Sequence, residues 1–266
     1  MIPVGDSNRA HRTPWVTRLI ILLNIGAFLY LLALPASAPA DRREATADFV
    51  EQTEGVCYGY ETLPSDADRF ICTWSFQPRE FFDAIAGESG LAGDELWAAL
   101  ASIVTAMFLH GGWLHILGNM LYLWVFGDNV EDRLGHGVFL LFYLLGGVAG
   151  SFIQGAMDPN SLIPVLGASG AVASVLGAYL IWYPGATVRV VIPFFILIFI
   201  PLPVPAWMMI GLWFAQNLLA GYATIAETAT DQGVAWFAHI GGFVFGMLVA
   251  VLAGSKARKQ RRAPEW

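Results

Sequence analysis

Six stretches of this chain contain no Asp, Glu, Lys or Arg: residues 19–40, 96–127, 134–157, 159–188, 190–226 and 232–255. A helix crossing a bilayer needs about 20 consecutive, mostly apolar residues. Runs of this length and number predict a polytopic helical membrane protein, because a soluble domain has no use for six of them. The composition agrees. Of the 266 residues 56% are hydrophobic and 13% charged, against about 25% charged in an ordinary soluble domain.

The charges that remain are sorted by region, and the net charge of −7 hides this. Residues 41–95 hold thirteen acidic against four basic residues. The ends are basic, with Arg9, Arg12 and Arg18 near the start and Lys256, Arg258, Lys259, Arg261 and Arg262 near the finish. Basic flanks of membrane helices mark the cytoplasmic side, so both termini are expected there and the number of spans is expected to be even. The same rule accounts for the basic ends without nucleic acid as a partner; the expected surroundings are the lipid bilayer of a bacterial inner (cytoplasmic) membrane.

Taken in order, residues 1–17 read as a polar, mobile cytoplasmic tail. A first span covers about 18–34. It resembles a signal peptide, with Ala36-Ser37-Ala38 as a cleavage-like site, but the apolar run is long and Pro39 would follow the cut, which favours a retained helix. An acidic extracytoplasmic insertion, 35–95, carries the two cysteines, Cys57 and Cys72. A disulfide is expected between two cysteines of an exported segment, with two unpaired thiols as the alternative.

The charge-free run 96–127 is too long for one span. Gly111-Gly112 divides it into an interfacial helix, about 94–108, and a second span, about 113–127, followed by a cytoplasmic turn through Arg133. Spans three and four are read at about 136–156 and 168–183. Residues 186–204 contain Pro193, Pro201 and Pro203, which oppose a continuous helix, and a β-branched run from Val188; they read as an interfacial or hairpin element. Spans five and six follow at about 205–221 and 234–254, and 256–266 is a basic tail. The expected fold is an all-α bundle of six transmembrane helices, 18–255, with a large acidic first loop.

With this topology spans two, four and six run in the same direction. His115 and Asn119 stand near the start of span two, Ser169 near the start of span four and His239 near the start of span six, so all four share one depth. Ser169, Ala173 and Gly177 form a stripe of small residues on span four, matched by Gly242 and Gly246 beside His239 on span six. Small stripes let membrane helices approach closely. A close crossing would set the imidazole beside the hydroxyl, where His can act as general base to a serine nucleophile. Asn119, His115 and the Ser169 backbone N–H are candidate oxyanion donors. No carboxylate stands at that depth, so the expectation is a Ser–His dyad. Each residue alone has a plainer reading: a packing serine, a hydrogen-bonded histidine or an interhelical Asn. A metal on His110, His115 and His239 is disfavoured by their spacing.

In these segments the chain resembles the rhomboid family of intramembrane serine proteases. The resemblance rests on His110-Gly-Gly-Trp-Leu-His115-Ile-Leu-Gly-Asn119, Glu131-Asp-Arg133, Gly167-Ala-Ser-Gly170 and Ala238-His239-Ile-Gly-Gly242-Phe-Val-Phe-Gly246. It implies Ser169 as nucleophile, His239 as base, His115 and Asn119 at the oxyanion, and His110 in support. It also implies Glu131 and Arg133 as a structural pair, and Gln154 as a residue that delivers water. The implied substrates are transmembrane proteins, with no metal or organic cofactor. One departure is Ala173, where family members carry a Tyr that stacks on the catalytic His. The competing readings are a catalytically silent relative that binds membrane clients, and a transporter or channel.

Overall fold

A computed structural model describes residues 2–8, 10–35, 65–88, 90, 93–191, 201–226 and 234–254. Its elements, in chain order, are β1 (Ile2–Asp6), α1 (Trp15–Ala33), α2 (Asp66–Trp74), α3 (Pro78–Ala86), α4 (Asp94–Thr105) with a closing 3-10 turn (Ala106–Phe108), α5 (Trp113–Leu134), α6 (His136–Met157), α7 (Ser169–Trp182), β2 (Thr187–Val191), β3 (Leu202–Pro205), α8 (Ala206–Ala226) and α9 (Trp236–Leu252). By length and composition α1 and α6 can each cross a membrane, and α4 and α5 form a broken pair bent by 77°. Apolar helices α7 and α9 are shorter. Each of the six regions read as spans contains a helix, and by length and composition two of these helices among the described residues, or three with the broken pair, can cross a membrane.

The bundle is organised around α7, whose residues from Gly170 through Tyr179 are all buried. Its lack of any charged side chain follows from that position, since a charge so enclosed needs a partner to offset its desolvation. Helices α5, α6 and α9 surround it and share one apolar core through Phe126, Tyr143, Leu176 and Phe243.

Glu131 shows how the polar ends are closed. Its carboxylate, 1% exposed, accepts from the backbone N–H of Val16 at 2.9 Å and of Thr17 at 2.7 Å, and from the Thr17 hydroxyl at 2.6 Å. The first amides of a helix have no partner within it, and Pro14 before α1 offers no side-chain cap. A carboxylate from α5 fills that role and is favoured by the helix dipole. Arg133 lies over the Trp182 ring at 4.6 Å and donates to the Gly254 carbonyl at 3.1 Å. The two residues read as a pair thus serve different helix ends.

Three expectations change. The tail is not a loose segment from residue 2 onward: β1 pairs antiparallel with β2, and β2 with β3, in a three-stranded sheet. The fold is consequently helical with a small sheet rather than all-α. The hairpin reading of 186–204 agrees with β2 and β3; the residues between them lie outside the described set. The turn expected at 127–133 is instead the last part of α5, which stops only at Gly135 (φ +81°). Charges there do not end the helix because Glu131 and Arg133 find partners on α1, α7 and the end of α9.

Part of the acidic insertion is ordered by packing. Phe76 is fully buried with Phe81, Ile103 and Ala106, and it exchanges backbone hydrogen bonds with Val165 at 3.0 and 2.8 Å. The insertion is therefore fastened to the segment just before Ser169. Cys72 is buried and holds no free thiol; its expected partner, Cys57, lies outside the described residues.

Candidate active site

Ser169 is the first residue of α7, and what precedes it is held tightly. The Gly167 N–H donates to the Ala106 carbonyl at 2.8 Å. Gly167 has φ +127°, and a Cβ there would sit 2.7 Å from His115 Nε2. Both facts demand glycine: the conformation is one L side chains rarely adopt, and the space is already taken by an imidazole. Helix α7 has 14 residues, about 21 Å at 1.5 Å per residue, against about 30 Å of hydrocarbon. Being short, it leaves room above Ser169, and a cavity of about 1540 Å³ opens there.

His239 reaches this cavity because α9 crosses α7 at backbone contact. A Cβ on Gly242 would collide with the Gly170 carbonyl, and one on Gly246 with the Ser174 carbonyl. The expected small-residue crossing is present and uses Gly177 of the expected stripe, where a Cβ would meet the Phe243 carbonyl, but beside it stand Gly170 and Ser174 rather than Ser169 and Ala173. The start of α9 is capped by Gln154, whose Oε1 accepts from the N–H groups of Phe237 at 3.0 Å and Ala238 at 3.2 Å. Gln154 thus holds the turn that bears His239, a role distinct from the water delivery that the resemblance implied. No hydrogen bond joins Ser169 to His239 among the described residues; the two line the same cavity.

His115 and Asn119 also line the cavity. Asn119 is buried, and its Nδ2 donates to the carbonyl of His115 at 2.9 Å. An amide nitrogen carries two hydrogens, so this bond leaves one to offer. His110 is fully buried behind them. Its ring meets that of His115 edge to face, with centroids 5.0 Å apart, and its Nε2 lies 3.5 Å from the Ala168 N–H. Among the described residues no group of three His, Cys, Asp or Glu side chains is arranged to hold a metal.

Three neighbours of His239 escaped the sequence reading: Trp236, whose ring meets the imidazole edge to face at 6.1 Å, and two residues on α8. The Trp213 ring lies 5.8 Å from the His239 ring, centroid to centroid, at 37°. One turn later the Oδ1 of Asn217 stands 2.6 Å from His239 Nδ1. A lone Asn in an apolar span, four residues after a Trp, was the available signal. Direction alone does not point to it, because α8 runs opposite to the three spans that carry Ser169, His239 and His115.

Residues 94–256, more than half of the chain, match the family model described as the Rhomboid domain. Among curated relatives, "Rhomboid protein 1, mitochondrial" of Saccharomyces cerevisiae is 29% identical over 170 residues, 60% of this chain and 44% of that protein. "Putative rhomboid protease YdcA" of Bacillus subtilis is 33% identical over 133 residues, 50% of this chain and 59% of that protein. "Rhomboid protease GluP", also of Bacillus subtilis, is 42% identical over 90 residues, 34% and 16% of the two chains. The chain spans 15–55% of the length of its first three relatives. The matched region contains Ser169, His239, His115, Asn119 and His110 together with the apolar helices that carry them, and the chain is a multi-pass membrane protein that belongs to the rhomboid family.

Proposed function

We propose that this protein is an intramembrane serine endopeptidase that hydrolyses peptide bonds in or beside transmembrane segments of other membrane proteins. The observation that carries the reading is the meeting of Ser169, His239, His115 and Asn119 on one cavity. The Ser169 hydroxyl attacks the scissile carbonyl as Nε2 of His239 takes its proton. The oxyanion is met by Asn119, His115 and the Ser169 N–H at the start of α7. His239 returns the proton to the leaving amine, and water then hydrolyses the acyl-enzyme by the same steps. Side chains and water supply all the groups these steps use. A loose nucleophile–base contact in the free protein is compatible with this chemistry, because such bonds tighten on the substrate complex.

The spans of this reading are α1, α5, α6, α7, α8 and α9, with both termini cytoplasmic and the cavity opening to the outer side of a bacterial inner membrane. Backbone groups are costly to expose in lipid, so a substrate helix must unwind to reach Ser169, and slow turnover is expected. The purified protein should react with a fluorophosphonate and cut a model transmembrane substrate. Ser169→Ala should abolish both, a loss of about 10⁴-fold or more in kcat. Full cleavage by that variant sinks the assignment, and a native protein inert to probe and substrates would favour the silent client-binding relative.

A further inference from the structure

We propose that Asn217 is the positioning residue of the base, so that the site is a Ser169–His239–Asn217 arrangement whose third member is delivered by α8. The inference rests on the reading of Ser169 and His239 as nucleophile and base. Its starting point is the orientation of the amide. Asn217 Nδ2 donates to the Trp213 carbonyl at 2.7 Å, one turn back on its own helix. That bond turns Oδ1 toward His239 Nδ1. A carboxamide oxygen can only accept, so Nδ1 must carry the proton and Nε2 keeps its lone pair. This is the tautomer a base facing Ser169 needs.

The chemistry also explains the residue type. A carboxylate would hold the imidazole equally well, but an ionised group at this depth is costly. Asn217, 3% exposed, supplies the acceptor without the charge. Trp213, on the same face of α8, limits tilting of the His239 ring from the side. Both contacts come from a helix that presents Leu212, Leu219 and Tyr222 outward and grips α9 by the stacked rings of Phe214 and Phe243, 4.1 Å apart. A shift of α8 away from α9 would withdraw the acceptor and the Trp213 ring and leave the imidazole only the edge contact with Trp236 of its own helix, 6.1 Å between centroids, so the tautomer of His239 depends on the seating of α8.

The test compares Asn217→Leu, Asn217→Asp and Ser169→Ala in the full chain. Asn217→Leu should lower kcat 10–100-fold with little change in KM. Asn217→Asp should restore much of the rate and move the acid limb of the kcat/KM profile up by about one pH unit, since a carboxylate favours the imidazolium. The other titratable groups on the cavity are His115, Asp158 and Tyr122, and a His115→Gln background identifies whose limb moved. With ¹⁵N-histidine labelling, His239 should be the Nδ1–H tautomer in native protein and a mixture in Asn217→Leu; this needs no substrate. If Asn217→Leu does not fold, Asn217→Asp, which keeps the volume, decides alone. An unshifted limb in Asn217→Asp, or an unchanged tautomer and kcat in Asn217→Leu, overturns the proposal while Ser169→Ala still reads zero. Cleavage by Ser169→Ala overturns the protease reading instead.

Discussion

Helices α5 and α7 each carry polar residues at both ends, and the two ends behave differently. At one end His115, Asn119 and Ser169 border a cavity and keep hydrogen-bonding capacity unspent. At the other, Glu131 serves the start of α1 and lies 2.5 Å from His136 Nδ1, Asn129 donates to Asp6 at 3.1 Å and to Asp128 at 2.8 Å, and the Tyr179 hydroxyl donates to Asp6. Asn119 and Asn129 are ten residues apart on α5, about 15 Å along the axis. The same helices therefore support a reactive cluster and a saturated one. The groups that border the cavity keep capacity that a substrate can satisfy, whereas Glu131, Asn129, Asp6 and Tyr179 are bonded within the protein.

The largest effect that separates the ends is expected at Asn119. Replacing it with Ala removes an oxyanion donor and should cost about 10²–10³-fold in kcat, as for a single donor of this kind, with thermal stability nearly unchanged because among the described residues the amide bonds within its own helix turn. A variant that keeps its kcat would remove Asn119 from the oxyanion site and narrow the reactive cluster to Ser169 and His239.

Much of this was legible in advance because membrane burial constrains a sequence harshly. Charge-free runs identified the helices, and the matching depth of Ser169, His239, His115 and Asn119 follows from direction alone. Gly242 and Gly246 were readable as a close crossing, since nothing but a missing side chain lets two backbones touch. What stayed hidden were partnerships across distant parts of the chain. Nothing local in Ile2–Asp6 says that a strand 180 residues later will pair with it. Nor does the charge of Glu131 announce that helix α5 continues through it, because the groups that make this tolerable belong to α1. Asn217 was hidden for the same reason: its meaning lies in an acceptor oxygen turned toward His239 on another helix, which its hydrogen bond to the Trp213 carbonyl orients.

At the saturated end, Glu131→Ala should act in the opposite sense to Asn119→Ala. It leaves two first-turn amides of α1 and the Thr17 hydroxyl without their acceptor, costing about 1–3 kcal/mol. The fraction that remains folded should keep the native kcat, since Glu131 is remote from the cavity. Melting curves in detergent and single-turnover cleavage measure the two quantities separately. A drop in kcat per folded molecule would mean that the two ends communicate.

The smallest effect is a pH dependence confined to the sheet. Burial against the bundle raises the Asp6 carboxyl from its ordinary value of 3.8 to about 7. The hydrogen bond from Tyr179 opposes that rise, and the neighbouring Asp128 carboxylate adds to it. Because the folded-state value lies above the unfolded one, docking of β1 is favoured most below pH 4, where Asp6 is protonated in both states. That advantage is lost as the pH rises toward 7, where the docked carboxyl must ionise while still enclosed. Amide exchange of β1, corrected for its intrinsic pH dependence, should therefore show more protection at pH 5 than at pH 8, and Asp6→Asn should flatten the difference. Cleavage by Ser169 should not follow that titration. Equal protection at both pH values would mean that Asp6 ionises without cost, and that the sheet end holds spare solvation which its saturated hydrogen bonding does not suggest.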